Sequence, residues 1–180
     1  MVKRSRRIRG CLTSIALLAI FCLAGAAVFP VLRHPILLAR LLTSPSPSIV
    51  DIPVEGVRKS QIRDSWGAAR SEGRSHQGVD IFAKRGTPVI SATEGIVLNL
   101  GTNRLGGQIV RVLGPAGQVH YYAHLDHYGS YDSGDAVRAG DVLGYVGNTG
   151  NARNTPSHLH YGVYDPQRGP VNPWPLLNPR

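Results

Sequence analysis

No acidic residue precedes Asp51 and no cysteine follows Cys22 in this 180-residue chain. The formal charge of +9, from 20 basic and 11 acidic side chains, first suggests nucleic acid. Seven of those basic residues, however, lie in the first 40 positions, which leaves 13 basic and 11 acidic residues in the rest. A nucleic-acid-binding face needs Lys and Arg clustered within the folded part of the chain. The charge balance therefore excludes nucleic acid as a partner. The missing cysteines exclude disulfides, thiolate ligands and a thiol nucleophile from everything beyond the leader. A metal site there has to use His, Asp or Glu. Long amphipathic helices are also lacking: no stretch after residue 50 sustains a helical period over three turns, and Gly is spread throughout.

The leader is basic at Lys3, Arg4, Arg6, Arg7 and Arg9, then uncharged for the 22 residues from Cys11 to Leu32. At about 1.5 Å per helical residue such a run spans the ~30 Å of a hydrocarbon core. Its basic flank should stay in the cytoplasm. This predicts a cytoplasmic segment over 1–10 and a transmembrane helix over 11–32. The remainder would face the periplasm from the inner membrane, as a single-pass protein. Ala24-Gly25-Ala26 offers the small residues a signal peptidase needs, and cleavage there would release the rest as a secreted protein. A reporter fused after Arg180 distinguishes export from a cytoplasmic location.

Residues 33–48 read as a membrane-proximal segment and linker. Arg33 to Leu42 is apolar apart from its arginines and His34, and Thr43-Ser-Pro-Ser-Pro-Ser48 cannot hold a helix. The remaining residues, 49–180, suffice for one ordinary domain with its own core. Short β-like stretches separated by Gly, Pro, Asn and Asp make that domain mostly β. Strands are expected over 88–91, 95–100, 108–113, 119–124, 141–146 and 158–163. Lys84-Arg-Gly-Thr-Pro-Val89 and Arg138-Ala-Gly-Asp-Val-Leu143 share a pattern, a basic turn leading into an apolar strand, which suggests paired hairpins.

Six of the seven histidines fall in this domain, at 76, 120, 124, 127, 158 and 160. In a strand His158 and His160 project to the same face while Leu159 turns into the core. Neutral imidazoles suit zinc, which in catalytic sites takes three protein ligands and leaves one position for water. His76-Gln-Gly-Val-Asp80 adds a His and a carboxylate that a flexible Gly can bring to one side. Two His and one carboxylate form a hydrolytic zinc set. His120 should line the groove or pack beside Tyr122, and His127 should be a solvated loop residue. Asn148 to Asn154 should form a loop at the rim.

In order along the chain, His76-Gln-Gly-Val-Asp80-Ile, Gly86-Thr-Pro-Val, Tyr122-Ala-His124-Leu, Gly140-Asp-Val-Leu-Gly and Ser157-His158-Leu-His160-Tyr resemble the lysostaphin-like (LytM-type) zinc metallopeptidases. The resemblance runs from about Asp64 to Val163. It implies a single compact antiparallel β-sheet domain with a groove and one zinc ion on His76, Asp80 and His160. It also implies a catalytic pair, His124 and His158, and hydrolysis of peptide bonds in bacterial peptidoglycan. His158 could instead close a structural site as a fourth ligand. Arg70 and Arg74, just before His76, are placed either to contact an acidic stem peptide or to be solvated. The glycyl-glycine-cleaving branch of the family has a tyrosine shortly before its first ligand, and this chain has none before Tyr121. The expected substrate is therefore a direct cross-link of D-alanyl-diaminopimelate type, not a pentaglycine bridge.

Two other readings fit parts of the chain. Relatives that have lost ligands act as noncatalytic activators of cell-wall amidases, but here every ligand and catalytic position is filled. Peptidoglycan is the expected partner, and cell-wall or division proteins are candidates beside it. Val137-Arg-Ala-Gly-Asp-Val-Leu-Gly144 also resembles strands of biotinyl and lipoyl carriers, yet the only lysine after residue 60, Lys84, lies outside that hairpin.

Overall fold

The computed structural model describes residues 31–178, so all but the last two residues of the expected transmembrane helix over 11–32 lie outside the described residues, as does the cytoplasmic segment. Among the described residues no helix is long and apolar enough to cross a membrane. The stretch expected to be membrane-proximal forms helix α1, Pro35–Thr43, with Pro at its start, where the missing N–H costs nothing. α1 lies on the domain body: Leu41 is fully buried, Arg40 pairs with Glu94, and Arg33 stands 3.9 Å from Asp135.

Among the described residues the body is one antiparallel sheet of nine strands: β1 Val79–Phe82, β2 Pro88–Ile90, β3 Gly95–Asn103, β4 Gly107–Leu113, β5 Val119–Tyr128, β6 Ala136–Val137, β7 Val142–Val146, β8 His158–Asp165 and β9 Gly169–Val171. Its main path runs β1-β8-β5-β4-β3-β6, with β7 on β5, β2 on β7 and β9 on β8. The mostly β expectation holds, and the six expected strands are present, several of them longer. The two similar segments behave as the pattern suggests, since the strands they lead into, β2 and β7, pair with each other. Each turn carries a glycine in the left-handed region, Gly86 at φ +83° and Gly140 at φ +90°, where a Cβ would be strained.

Alternation along β8 shows how sequence becomes two faces. Leu159, Tyr161 and Val163 are buried in the main core, so His158 and His160 must point the other way. The same core takes Val79 and Ile81 of β1, Val110 and Val112 of β4, and Tyr122 and Leu125 of β5. Val50, Val54 and Ile62 from the segment before β1, and Leu177 from the closing helix α2, Trp174–Leu177, also pack into it. Truncating a buried leucine such as Leu159 in a core of this kind costs about 2–5 kcal/mol. The rigidity of this layer is what holds the opposite face in register.

His120 belongs to the core side and does not line the groove. It is fully buried, and its Nδ1 is hydrogen-bonded to the Tyr161 hydroxyl at 2.7 Å. Burial pushes its pKa down to about 4. The folded protein therefore keeps His120 neutral, whereas the unfolded chain takes up a proton near pH 6.5. Stability should fall as the pH drops from about 6.5 to about 4, by at most ~3 kcal/mol from this residue. Thermal melts of wild type and His120→Gln across that window should diverge, the wild type losing more; parallel profiles would contradict the assignment. His127, expected in a loop, lies within β5, where the sheet pairing with β7 stacks its ring 4.2 Å from that of Tyr145.

Candidate functional site

The face of the sheet opposite the main core is a groove of about 880 Å³. At its centre His76 Nε2, Asp80 Oδ1 and His160 Nδ1 form a triangle with sides of 2.9, 3.1 and 3.2 Å. These are the three residues expected to hold the metal. The β1–β8 register sets Asp80 directly opposite His160. His76 arrives from the segment before β1, and Gly78 makes its approach feasible: a Cβ there would lie 2.6 Å from His160 Cε1 and from the Tyr161 carbonyl oxygen.

The hydrogen bonds around the triangle fix what faces its centre. His76 Nδ1 lies 2.7 Å from the Ser65 carbonyl oxygen, which can only accept, so Nδ1 donates. Nε2 of His76 is thereby turned inward. Asp80 is kept anionic: burial opposes its ionisation, but the hydrogen bonds from His160 and His76 outweigh burial and hold its carboxyl well below the usual range. Burial pushes the pKa of His160 down, favouring its neutral form. Basic atoms at these separations repel unless a proton or a cation lies among them. The donor set and spacing fit an ion with ligand distances of about 2.0–2.2 Å, as zinc has. Arg70 Nη2 lies 2.5 Å from Asp80 Oδ2, which leaves Oδ1 for the metal. This arginine therefore fixes a carboxylate of the candidate metal site, a role the sequence did not suggest.

His124 and His158 stand beside the triangle with rings 5.0 Å apart. By strand parity His124 should share the core face of Tyr122. Its φ of +65° and the register shifts of β5 against β4 and β7 turn it to the groove instead. A non-glycine residue in that region costs about 1–2 kcal/mol, a strain of the kind that persists at functional sites. Its Nδ1 is 2.9 Å from the Thr149 carbonyl oxygen, and His158 Nδ1 is 2.8 Å from that of Pro156. Both accepting carbonyls belong to the connection between β7 and β8. The expected rim loop is thus also what orients both rings. Each ring donates from Nδ1 and presents Nε2. Burial, followed by the nearby His158 and His160, pushes the pKa of His124 down to about 4, so Nε2 carries a lone pair at neutral pH. His158 Nε2 is 3.9 Å from Asp80 Oδ1, farther than any edge of the triangle. Asn148, in the same connection, uses its side chain on the Arg153 carbonyl at 3.2 Å.

The chain was compared with known proteins. The description "Peptidase family M23" matches residues 74–173. Over 110 residues the chain is 41% identical to the L-Ala--D-Glu endopeptidase of Bacillus subtilis (strain 168), covering 57% of this chain and 34% of that protein. Over 118 residues it is 35% identical to the DD-carboxypeptidase/endopeptidase Mpg of Neisseria meningitidis serogroup B, covering 66% of this chain and 25% of that protein. The catalytic domain of lysostaphin from Staphylococcus simulans superposes with a TM-score of 0.52 at 31% identity, covering 57% of this chain and 77% of that one. Helicobacter pylori Csd3 gives 0.59 at 28% identity, covering 74% of this chain and 36% of that one. The chain spans about a third or less of the length of the two curated relatives.

Proposed function

Since the chain belongs to peptidase family M23, we propose that it is a zinc-dependent endopeptidase that hydrolyses peptide bonds of bacterial peptidoglycan, with direct cross-links of D-alanyl-diaminopimelate type as substrate. The observation that carries this reading is the triangle of His76, Asp80 and His160 in an open groove beside two histidines held at Nδ1. The names of the relatives, an L-Ala--D-Glu endopeptidase and a DD-carboxypeptidase/endopeptidase, support the substrate class.

His76 Nε2, Asp80 Oδ1 and His160 Nδ1 would hold the ion. Zinc in that place would supply Lewis-acid polarisation of a carbonyl and activation of water near neutral pH. The other work belongs to the protein. His124 and His158 both present Nε2 toward the same space, that of His124 held unprotonated at neutral pH, so either ring is placed to take a proton from the attacking water and return it to the departing amine. Once protonated, the same Nε2–H can donate to a developing oxyanion. Their Nδ1 bonds to backbone carbonyls keep both rings from rotating away. Arg70 fixes the carboxylate of Asp80, and the connection that contributes Asn151, Ala152, Thr155 and Pro156 walls the groove.

Digestion of purified cross-linked peptidoglycan, with fragments identified by mass spectrometry, tests the reading. New amino termini at the D-alanyl-diaminopimelate bond are expected. Cleavage at pentaglycine alone would overturn the substrate, and release of no peptide fragments from any cell wall would overturn the enzyme.

A further inference from the structure

Strand register gives the groove two chemically different ends. Phe82 is opposite His158, and Asp80 is opposite His160. His160 is in turn opposite Ala123, and Gly162 is opposite Tyr121. Tyr121 is opposite Arg111. Residues two apart share a face, so successive levels of the groove floor read Phe82 and His158, then Asp80, His160 and Ala123, then Arg111, Tyr121 and Gly162, with Tyr164 beyond. The metal triangle sits in the middle of this series.

At the first end the Phe82 side chain is exposed in a molecule whose other apolar strand residues are mostly covered, and its ring lies 5.2 Å from that of His158. At the other end the Arg111 guanidinium lies 5.6 Å from the centre of the Tyr121 ring. Tyr164 meets Tyr121 edge-on at 6.2 Å, and Tyr121 is 6.0 Å from His160. Gly162 puts no side chain between the His160 and Tyr164 rings. The three arginines lining the groove are not equivalent. Arg70 is paired with Asp80, and Arg74 stands 3.8 Å from Glu72. Arg111 makes no ion pair with a described residue, and the ring beneath it limits its motion. An uncompensated cation held on the wall of a substrate groove selects an anion.

We propose that Arg111, with Tyr121 and Tyr164, forms a subsite for a free carboxylate of the peptide substrate, and that an apolar residue of the same peptide lies over Phe82. This rests on the endopeptidase reading and adds to it a direction and a charge requirement. Two strand spacings of about 4.8 Å separate β8 from β4. An extended peptide covers ~3.3–3.6 Å per residue, so the carboxylate belongs to a residue within about three of the bond that is cut. A stem-peptide glutamate or diaminopimelate carboxylate meets that requirement in its acid form, and its amide does not.

The test compares paired synthetic cross-linked stem peptides, free acid and amidated at that carboxylate, on the zinc-loaded full chain. Wild type should favour the free acid about tenfold or more in kcat/KM, through KM. Arg111→Gln should lose about 10–100-fold on the free acid, the range expected for a charge-assisted hydrogen bond. It should lose little on the amide, with metal content and melting temperature unchanged. Equal loss on both peptides, or a wild type indifferent to amidation, overturns the subsite. Dissociation constants for the same pairs, measured by calorimetry, decide the question even where no bond is cut. A retained acid preference without cleavage would refute the hydrolytic reading and leave the subsite standing.

Discussion

Alanine in place of His124 or His158 is expected to lower turnover of a cross-linked muropeptide by about 10²–10⁴-fold, the usual cost of losing general acid–base or oxyanion help. Bound metal should be retained. Neither residue is a corner of the triangle, and each is held from behind by a backbone carbonyl of the β7–β8 connection. His124→Gly is the cleaner variant at that position, because glycine is at ease at the φ of +65° that histidine occupies under strain. Its melting temperature should stay close to that of wild type while activity collapses. Near-wild-type cleavage by His124→Gly and His124→Ala would remove the residue from the mechanism. Loss of metal from His158→Ala would instead make it a fourth ligand and turn the centre into a closed structural site.

Removing the metal should abolish cleavage outright, and zinc should restore it. The ion also matters for stability. At a free concentration a thousand times its Kd it contributes about 4 kcal/mol, which raises the melting temperature of a chain this size by roughly 10 °C. Chelation should therefore lower the melting temperature together with the activity. Asp80→Ala should mimic chelation in both respects. It loses a ligand and also leaves Arg70 without its carboxylate partner. An Asp80→Ala protein that still melts higher on adding zinc would show that the ion binds elsewhere. Arg70→Ala should be milder, with metal affinity reduced about 10–100-fold, the usual cost of losing an outer-sphere partner.

What could be read from the sequence followed the physics of alternation. His158-Leu159-His160 predicts two rings on one face of a strand, and the structure has them there because Leu159 is needed in the core. The strands with regular apolar patterning, β3, β4, β5, β7 and β8, were visible for the same reason. The short strand β2 was visible through the Lys84-to-Val89 pattern it shares with the approach to β7, whereas β6 and β9, of two and three residues, carry no period. β1 was masked because its first residues read as a ligand segment.

His124 shows where parity fails. Counting by twos from Tyr122 puts it in the core, and only a backbone bulge with positive φ, invisible in residue types, turns it to the groove. The family motif indicated its role; periodicity could not. The supporting groups were hidden for another reason. Ser65, Thr149 and Pro156 contribute backbone carbonyls, which any residue type could supply. Arg70 approaches Asp80 from ten positions earlier through an irregular turn, so no spacing rule points to it. Gly78 is the exception with a readable signal: a glycine between a histidine and an aspartate of one motif marks a close approach, here of the His160 ring. Helix α1 was read as a membrane-proximal stretch because its apolar residues continue those of the leader. Buried Leu41, the pairing of Arg40 with Glu94 and the approach of the preceding Arg33 to Asp135 are what lay it on the domain.

Three side chains hold one ion in the proposed centre, and elemental analysis of the purified protein beside His160→Ala tests that most directly. After dialysis against trace zinc, about one equivalent should remain on wild type and almost none on His160→Ala, with circular dichroism confirming that the β fold persists. An unchanged metal content in a folded His160→Ala protein would contradict the assignment of the site.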